Sequence, residues 1–293
     1  LKVCILSPSR NDAALKFVLR AFALFSAAIV LLIVVFLIKE SAPALSQVGP
    51  SRFLTDEGWS PSDGAEEGQF RIWPMMAASL LVTAGSVLLA VPLGIGTAVF
   101  TVFHAPRVIR VFTLRVVELL AGIPSVVYGL WGLVVLVPLI ASWEPPGQSL
   151  LTGIIVLAIM ILPTVALLTI AALEQVPLSL IRSSVALGFS PAGSLRKVIL
   201  PAAKSGIATA IVLAVARAIG ETMAVLMVCG NVIQLPATVF DPVRTLTANI
   251  ALEMAYALDI HRSALFVSGL VLIVIVAGLV LCAEVIRMRE RHV

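Results

Sequence analysis

The segment LSLIRSSVALGFSPAGSLRKVILP, residues 178–201, lies between two long apolar runs and carries its own helix punctuation. Over 178–187, Leu180, Ile181, Val185 and Leu187 supply an apolar face, so a short helix is predicted. Gly188 ends it, as a glycine just past a helix usually does. Ser190-Pro191 then reads as an N-cap followed by the first helical position, which starts a second helix. That helix carries Arg196 and Lys197 and runs toward Leu200-Pro201. A loop merely folded back on its own bundle can show such a pattern. A plain linker does not need it.

Outward from this loop the chain is apolar. Of its 293 residues 60% are hydrophobic and 12% are charged, and mean hydropathy is +1.11. A water-soluble domain is nearer 45–50% apolar and about 25% charged, so a soluble enzyme, a disordered chain and a free nucleic-acid-binding domain are all excluded. A spanning helix needs about 20 mostly apolar residues. Six runs qualify: 17–38, 75–103, 116–140, 150–173, 205–230 and 264–283. The fold class is therefore all-α, a polytopic membrane protein with six transmembrane helices. The first run is read as a retained anchor, since Lys39-Glu40 follows it in place of a small-residue cleavage site. Pro92, Gly122, Pro124, Pro138 and Pro163 fall inside spans. Lipid tolerates them where neighbouring helices satisfy the freed backbone groups.

Orientation follows from the Lys/Arg bias of the loops. Fourteen Lys and Arg residues lie in the N-terminal segment, the loops after the second and fourth runs, and the tail, against five in the alternate loops. Both termini are thus expected in the cytoplasm. The segment 39–72 is then external; it has six acidic and three basic residues, and its Gly, Ser and Pro content predicts irregular structure over much of its length. The organisation expected is 1–38 cytoplasmic N-terminus and first span, 39–72 external loop, 73–285 core with the cytoplasmic loop 174–204, and 286–293 cytoplasmic tail.

Two opposite charges fall inside the fifth run. Arg217 and Glu221 are four apart, so on a continuous helix they share a face. Each costs about 2.5–3.5 kcal/mol at the bilayer centre on insertion scales, so a mutual pair facing the bundle interior is expected. A guanidinium presents a planar fork of N–H donors that matches phosphate oxygens, and a carboxylate beside it can hold it in one rotamer. An ion pair that only fixes helix packing has the same spacing. Thr222 can line the path or bond a neighbouring helix, and Asn231 beside Gly230 ends the helix. Asp241, Arg244, Asn249 and Glu253 can meet an external protein or simply sit in a solvated loop. Cys4, Cys229 and Cys282 are scattered, and His104, His261 and His292 form no ligand or catalytic constellation. No G-x4-G-K-[ST] phosphate loop occurs, so the chain must borrow any ATP-derived energy.

Arg182-Ser183-Ser184-x3-Gly188, nine residues, then Val198-x-Leu200-Pro201 resembles the E-A-A-x3-G-x9-I-x-L-P loop of ABC importer permeases. Arg182 replaces the family's Glu, Ser183 and Ser184 its two Ala, and Val198 its Ile. LAGIPSVVYGLWGL (120–133), ARAIGETMAVLMVCGN (216–231) and FDPVRTLTANIALEMAYA (240–257) resemble the permeases of phosphate importers, PstC type. The resemblance covers roughly 53–285. It implies a type I ABC importer permease fold in a bacterial inner membrane, and an ATP-driven import of inorganic phosphate. It implies docking of Arg182, Ser183, Ser184, Gly188, Leu200 and Pro201 against an ATPase, and a path past Arg217, Glu221 and Thr222. The partners implied are a PstA-type second permease, an ABC ATPase dimer and an external phosphate-binding protein. No nucleic acid and no cofactor are expected, ATP being bound by the partner subunit. Permeases for other oxyanions, molybdate or sulfate, share this architecture, and so would a membrane partner that senses phosphate transport without performing it.

Overall fold

The computed structural model describes the backbone of residues 10–61 and 68–289 and the side chains of 15–61 and 68–282. Lys2, Cys4, Asp63, Glu66, Glu67, Arg291 and His292 lie outside the described residues. In chain order the elements are α1 (Arg10–Gln47), α2 (Arg52–Thr55), β1 (Trp59–Ser60), β2 (Gln69–Phe70), α3 (Trp73–Val99), α4 (Arg107–Gly122), α5 (Ser125–Trp131), α6 (Val137–Ala141), α7 (Leu150–Glu174), α8 (Leu178–Ala186), α9 (Pro191–Ser194), α10 (Leu200–Ile219), α11 (Met223–Val228), α12 (Leu246–Glu253) and α13 (Asp259–Arg289). The two strands pair antiparallel, Trp59 opposite Phe70.

Among the described residues, five stretches are single helices long and apolar enough to cross a membrane: Leu15–Gln47, Trp73–His104, Leu150–Glu174, Pro191–Ile219 and Asp259–Cys282. The sixth span is a bent pair, Arg107–Gly122 and Ser125–Ala141, whose axes differ by 95°. The expected straight span at 116–140 is thus corrected. The bend falls at Ile123-Pro124: proline disfavours the helical conformation at the residue before it, and Ile123 is extended, with φ −69° and ψ 129°. Tyr128 Oη ties the two arms together by donating to Leu120 O across the bend at 2.8 Å.

The expected span at 205–230 is corrected as well. Its helix begins at Pro191 and ends at Ile219, so Glu221 and Thr222 stand in a break before the short α11. Pro201 does not separate the loop's second helix from this span. A π turn at Leu195–Ile199 precedes it and carries α9 into α10 without a bend that divides the span. A proline removes one N–H and crowds the carbonyl of the previous turn; the wider turn relieves that crowding. The π turn Gly132–Leu136 does the same ahead of Pro138.

The central helix is α7. Leu157, Met160, Ile161 and Val165 are buried against α3, α10 and α11. Between apolar helices in lipid there is no hydrophobic drive, so close van der Waals fit holds this cluster. By contrast α1 leaves Phe17, Phe25 and Leu32 exposed. It touches the rest chiefly along α13, with Phe36 meeting Phe266 edge-to-face at 5.7 Å. A helix whose apolar run has no fully buried residue suits a position facing lipid on one side and α13 on the other.

At the end of the bundle opposite α8 and α9, the described residues 52–61 and 68–72 hold one helical turn and a pair of two-residue strands joined by turns and irregular chain. Phe53, Trp59, Phe70 and Ile72 are buried in a second core with Met75, Leu246, Ile260 and Leu265. The chain here forms a cap over the start of α13. At the α8 end, Ile170, Leu173, Val176, Ile199 and Ala203 form a third core that seats the loop.

Candidate functional site

The break between α10 and α11 exposes backbone groups that a continuous helix would have paired, and local hydroxyls reclaim them. Thr247 Oγ1, from α12, donates to Glu221 O at 2.7 Å, and Thr222 Oγ1 donates to Gly220 O at 3.3 Å. Non-helical backbone inside a span is tolerated where such partners exist. Packing holds α11 in place: a Cβ on Gly129 of α5 would lie 2.9 Å from Ala224 Cα, so only glycine permits this approach.

The expected Arg217–Glu221 pair does not form. Glu221 Oε1 instead accepts the N–H of Ala224 at 3.1 Å and caps the first turn of α11. The reason is the break itself, since the four-residue spacing brings side chains together only on an unbroken helix. Arg217 sits in the last turn of α10, where the carbonyl end of the helix dipole favours a cation. Its Nη1 donates to Thr164 Oγ1 at 3.4 Å, a long bond to a neutral group on α7. The Arg217 side chain is exposed on the single chain, in contrast to the expected interior position, and Glu221 is half-buried.

Beyond α11 the backbone reverses at Gly230 and Asn231, with φ 88° and 56°. Asn231 Nδ2 donates to Leu226 O at 2.8 Å and closes the helix. Arg244 Nε donates to Asn231 O at 2.9 Å, and its Nη1 reaches Asn249 Oδ1 at 3.1 Å and Glu253 Oε1 at 2.7 Å. The other Glu253 oxygen accepts from Trp59 Nε1 at 2.8 Å and lies 2.9 Å from His261 Nε2. Glu253 and His261 are buried. A solvated loop does not describe these residues: they form one polar junction between cap, α12 and α13. His261, unassigned by the sequence, is part of it. Asp241 stands apart; the Thr238 N–H and hydroxyl, with the Ala237 N–H, hold its carboxyl below the usual range.

The loop 178–201 has the helix–turn–helix shape expected of it. α8 ends at Ala186 with Leu187 as its C-cap, Gly188 turns the chain with φ +79°, and Ser190 Oγ accepts the Gly193 N–H as N-cap. Ser184 Oγ is buried and donates to Ser194 Oγ at 2.9 Å, pinning α8 to α9. Arg182, Ser183 and Pro201 are exposed, and Leu200 is half-buried. Leu178, Val185 and Leu187 leave an apolar face open.

Residues 90–289 match the family model described as binding-protein-dependent transport system inner membrane component. The phosphate transport system permease protein PstC of Mesorhizobium japonicum is 35% identical over 301 residues, covering 95% of this chain and 90% of that protein. This chain belongs to the PstC family of ABC importer permeases. A probable ABC transporter permease of Bacillus subtilis, YqgH, is 44% identical over 231 residues, covering 78% of this chain and 74% of that protein. Among solved structures, a bacterial ABC transporter that imports the acidic polysaccharide alginate matches with TM-score 0.67 at 14% identity, over 95% of this chain and 98% of its own. The inward-facing methionine transporter MetNI matches with TM-score 0.58 at 19% identity, over 75% of this chain and 94% of its own. These two establish the shared fold alone.

In this PstC-family chain, sequence reasoning named Arg217, Glu221 and Thr222 but missed Thr164 and Thr247, which hold Arg217 and the broken backbone. Both are single hydroxyls in apolar helices, and nothing in their spacing marks them. Among the described residues no group of three or more His, Cys, Asp or Glu could hold a metal ion.

Proposed function

We propose that this chain is the permease subunit of an ATP-driven importer of inorganic phosphate, set in a bacterial inner membrane with both termini in the cytoplasm. It pairs with a PstA-type permease over two copies of an ABC ATPase, and an external phosphate-binding protein delivers the anion. The observation that carries the reading is Arg217. A guanidinium stands beside a broken span with one long bond to a neutral hydroxyl and, among the described residues, no carboxylate on it. Its fork of donors suits a phosphate dianion. The second permease would cover its exposed side and enclose a path lined by Arg217, Glu221 and Thr222. The near full-length likeness to PstC proteins supports phosphate over other oxyanions.

The energy step falls to the loop 178–201. Its open apolar face and rigid turn fit a groove on the ATPase, with Arg182 and Ser183 at the contact, Ser184 pinning α8 to α9, and Leu200 and Pro201 opening α10. ATP binding in the partner would draw two such loops together and tilt the bundle outward; hydrolysis would return it. Each state requires a differential affinity for ATP or binding protein.

The reading is tested in proteoliposomes holding both permeases and the ATPase, with the binding protein outside. ATP-dependent uptake of labelled phosphate is expected, undiminished by a large excess of sulfate or molybdate. Uptake competed away by either anion would overturn the phosphate assignment. In the same assay, Gly188→Val should uncouple hydrolysis from uptake. Within this chain a Cβ at 188 meets nothing within 4 Å, so the strain inside the loop comes from the backbone. Left-handed φ costs a non-glycine residue about 1–2 kcal/mol, and a β-branched one is a true outlier there. Gly188→Asn, which visits that region more readily, should keep most coupling. Equal phosphate moved per ATP by wild type and Gly188→Val would remove the docking role.

A further inference from the structure

α1 leaves its apolar run at Lys39-Glu40, and α13 begins its own at Asp259. Where the two meet, Glu40, Pro43, Gln47, Asp259, Arg262 and Ser263 line a mainly polar cavity of about 580 Å³. Two carboxylates and one guanidinium converge on it. Among the described residues, none of the three side chains makes a hydrogen bond or ion pair with the protein. The Arg262 guanidinium lies over the Phe266 ring, 5.8 Å from its centre, and Phe266 packs on Phe36 of α1. Directly below, α1 presents Ile33, Phe36 and Ile38 to the outside. Charges of both signs without a protein partner thus line a cavity where two spans leave their apolar runs, next to exposed apolar side chains of α1.

We propose that this cavity binds the head group of a zwitterionic phospholipid with a primary amine, an ethanolamine phospholipid. Arg262 takes the phosphate; Glu40 and Asp259 take the ammonium, whose N–H donors their oxygens accept. The acyl chains lie against the exposed apolar side chains of α1. Charge selects the class. An anionic lipid would meet two carboxylates for one guanidinium with no cation to offset them. A choline head group has no N–H to donate. Seated there, the lipid fastens α1 to the remainder of the bundle, which the described contacts otherwise do mainly through α13.

The assembled transporter, purified in detergent, is offered an equal mixture of ethanolamine, choline and glycerol phospholipids with the same acyl chains, and retained lipid is read by native mass spectrometry. Preferential retention of the ethanolamine lipid is expected. Arg262→Ala should lower that retention about fivefold, the usual worth of one interfacial charge, while Arg262→Lys should keep most of it. The Glu40→Gln, Asp259→Asn double variant should erase the preference over choline. Soluble glycerophosphoethanolamine, which lacks acyl chains, should not displace the lipid. Equal or greater retention of the glycerol lipid, wild-type retention by Arg262→Ala or by the double variant, or displacement by the soluble head group would each overturn the proposal.

Discussion

Arg217→Ala should lower phosphate uptake by about 10- to 100-fold, the range expected when a hydrogen bond to a charged group is lost. The direction follows from what the side chain already does. Its protein contact is a 3.4 Å bond to Thr164, so little folding energy rests on it and the variant should assemble normally. What disappears is the positive charge at the break, where an anion in a low-dielectric path has few other sources of compensation. Arg217→Lys keeps the charge without the planar fork and should fall between the two. Glu221→Gln should be mild, because the amide oxygen can still accept the Ala224 N–H that the carboxylate now holds. ATP hydrolysis by the complex should persist in all three. The measurement is initial uptake rate at saturating ATP, and a normal rate in Arg217→Ala would dissolve the assigned path.

The graded outcome at 217 and 221 depends on a break that hydropathy does not see. A window average registers apolar content, so 205–230 and 116–140 each look like one span. The structure divides the first at Gly220–Thr222 and the second at Ile123-Pro124. The signals were present as Gly220 and as Gly122-Ile123-Pro124, but in lipid the same residues also occur in merely kinked helices, and neighbouring packing decides between them. Gly129 against Ala224 is such packing, between residues 95 positions apart. The loop 178–201 was legible because its determinants are local: Gly188, Ser190 and Pro191 act on their own turns. The cap formed by 52–61 and 68–72 was not. Its Gly, Ser, Pro and acidic residues outnumber Phe53, Trp59, Phe70 and Ile72, and the partners that bury those four lie near 246–265.

One of those distant partners carries the second large effect. Glu253→Ala should destabilise the cap by about 3–5 kcal/mol, the usual consequence of removing one member of a buried charged pair. Glu253 receives Trp59 Nε1 and Arg244 Nη1 and contacts His261 Nε2, so truncation strands three groups together. Arg244 suffers most: it is largely buried, and its remaining bonds go to Asn231 O and Asn249 Oδ1, neither of which carries charge. Glu253→Gln preserves an acceptor for Trp59 but not the charge, and should lose less than Ala. Trp59→Phe removes a single donor while keeping most of the ring in the core, at about 1.5–3 kcal/mol for a bond to a charged group. Hydrogen exchange localises the effect. Protection of the β1–β2 amides and of α12 should drop by about two to three and a half orders of magnitude in Glu253→Ala, the equivalent of that free energy. The centre of α7 should be unchanged, because the cap's core and the α7 core are separate clusters. Undiminished protection at β1–β2 would mean that apolar burial of Phe53, Phe70 and Ile72 holds the cap without the junction.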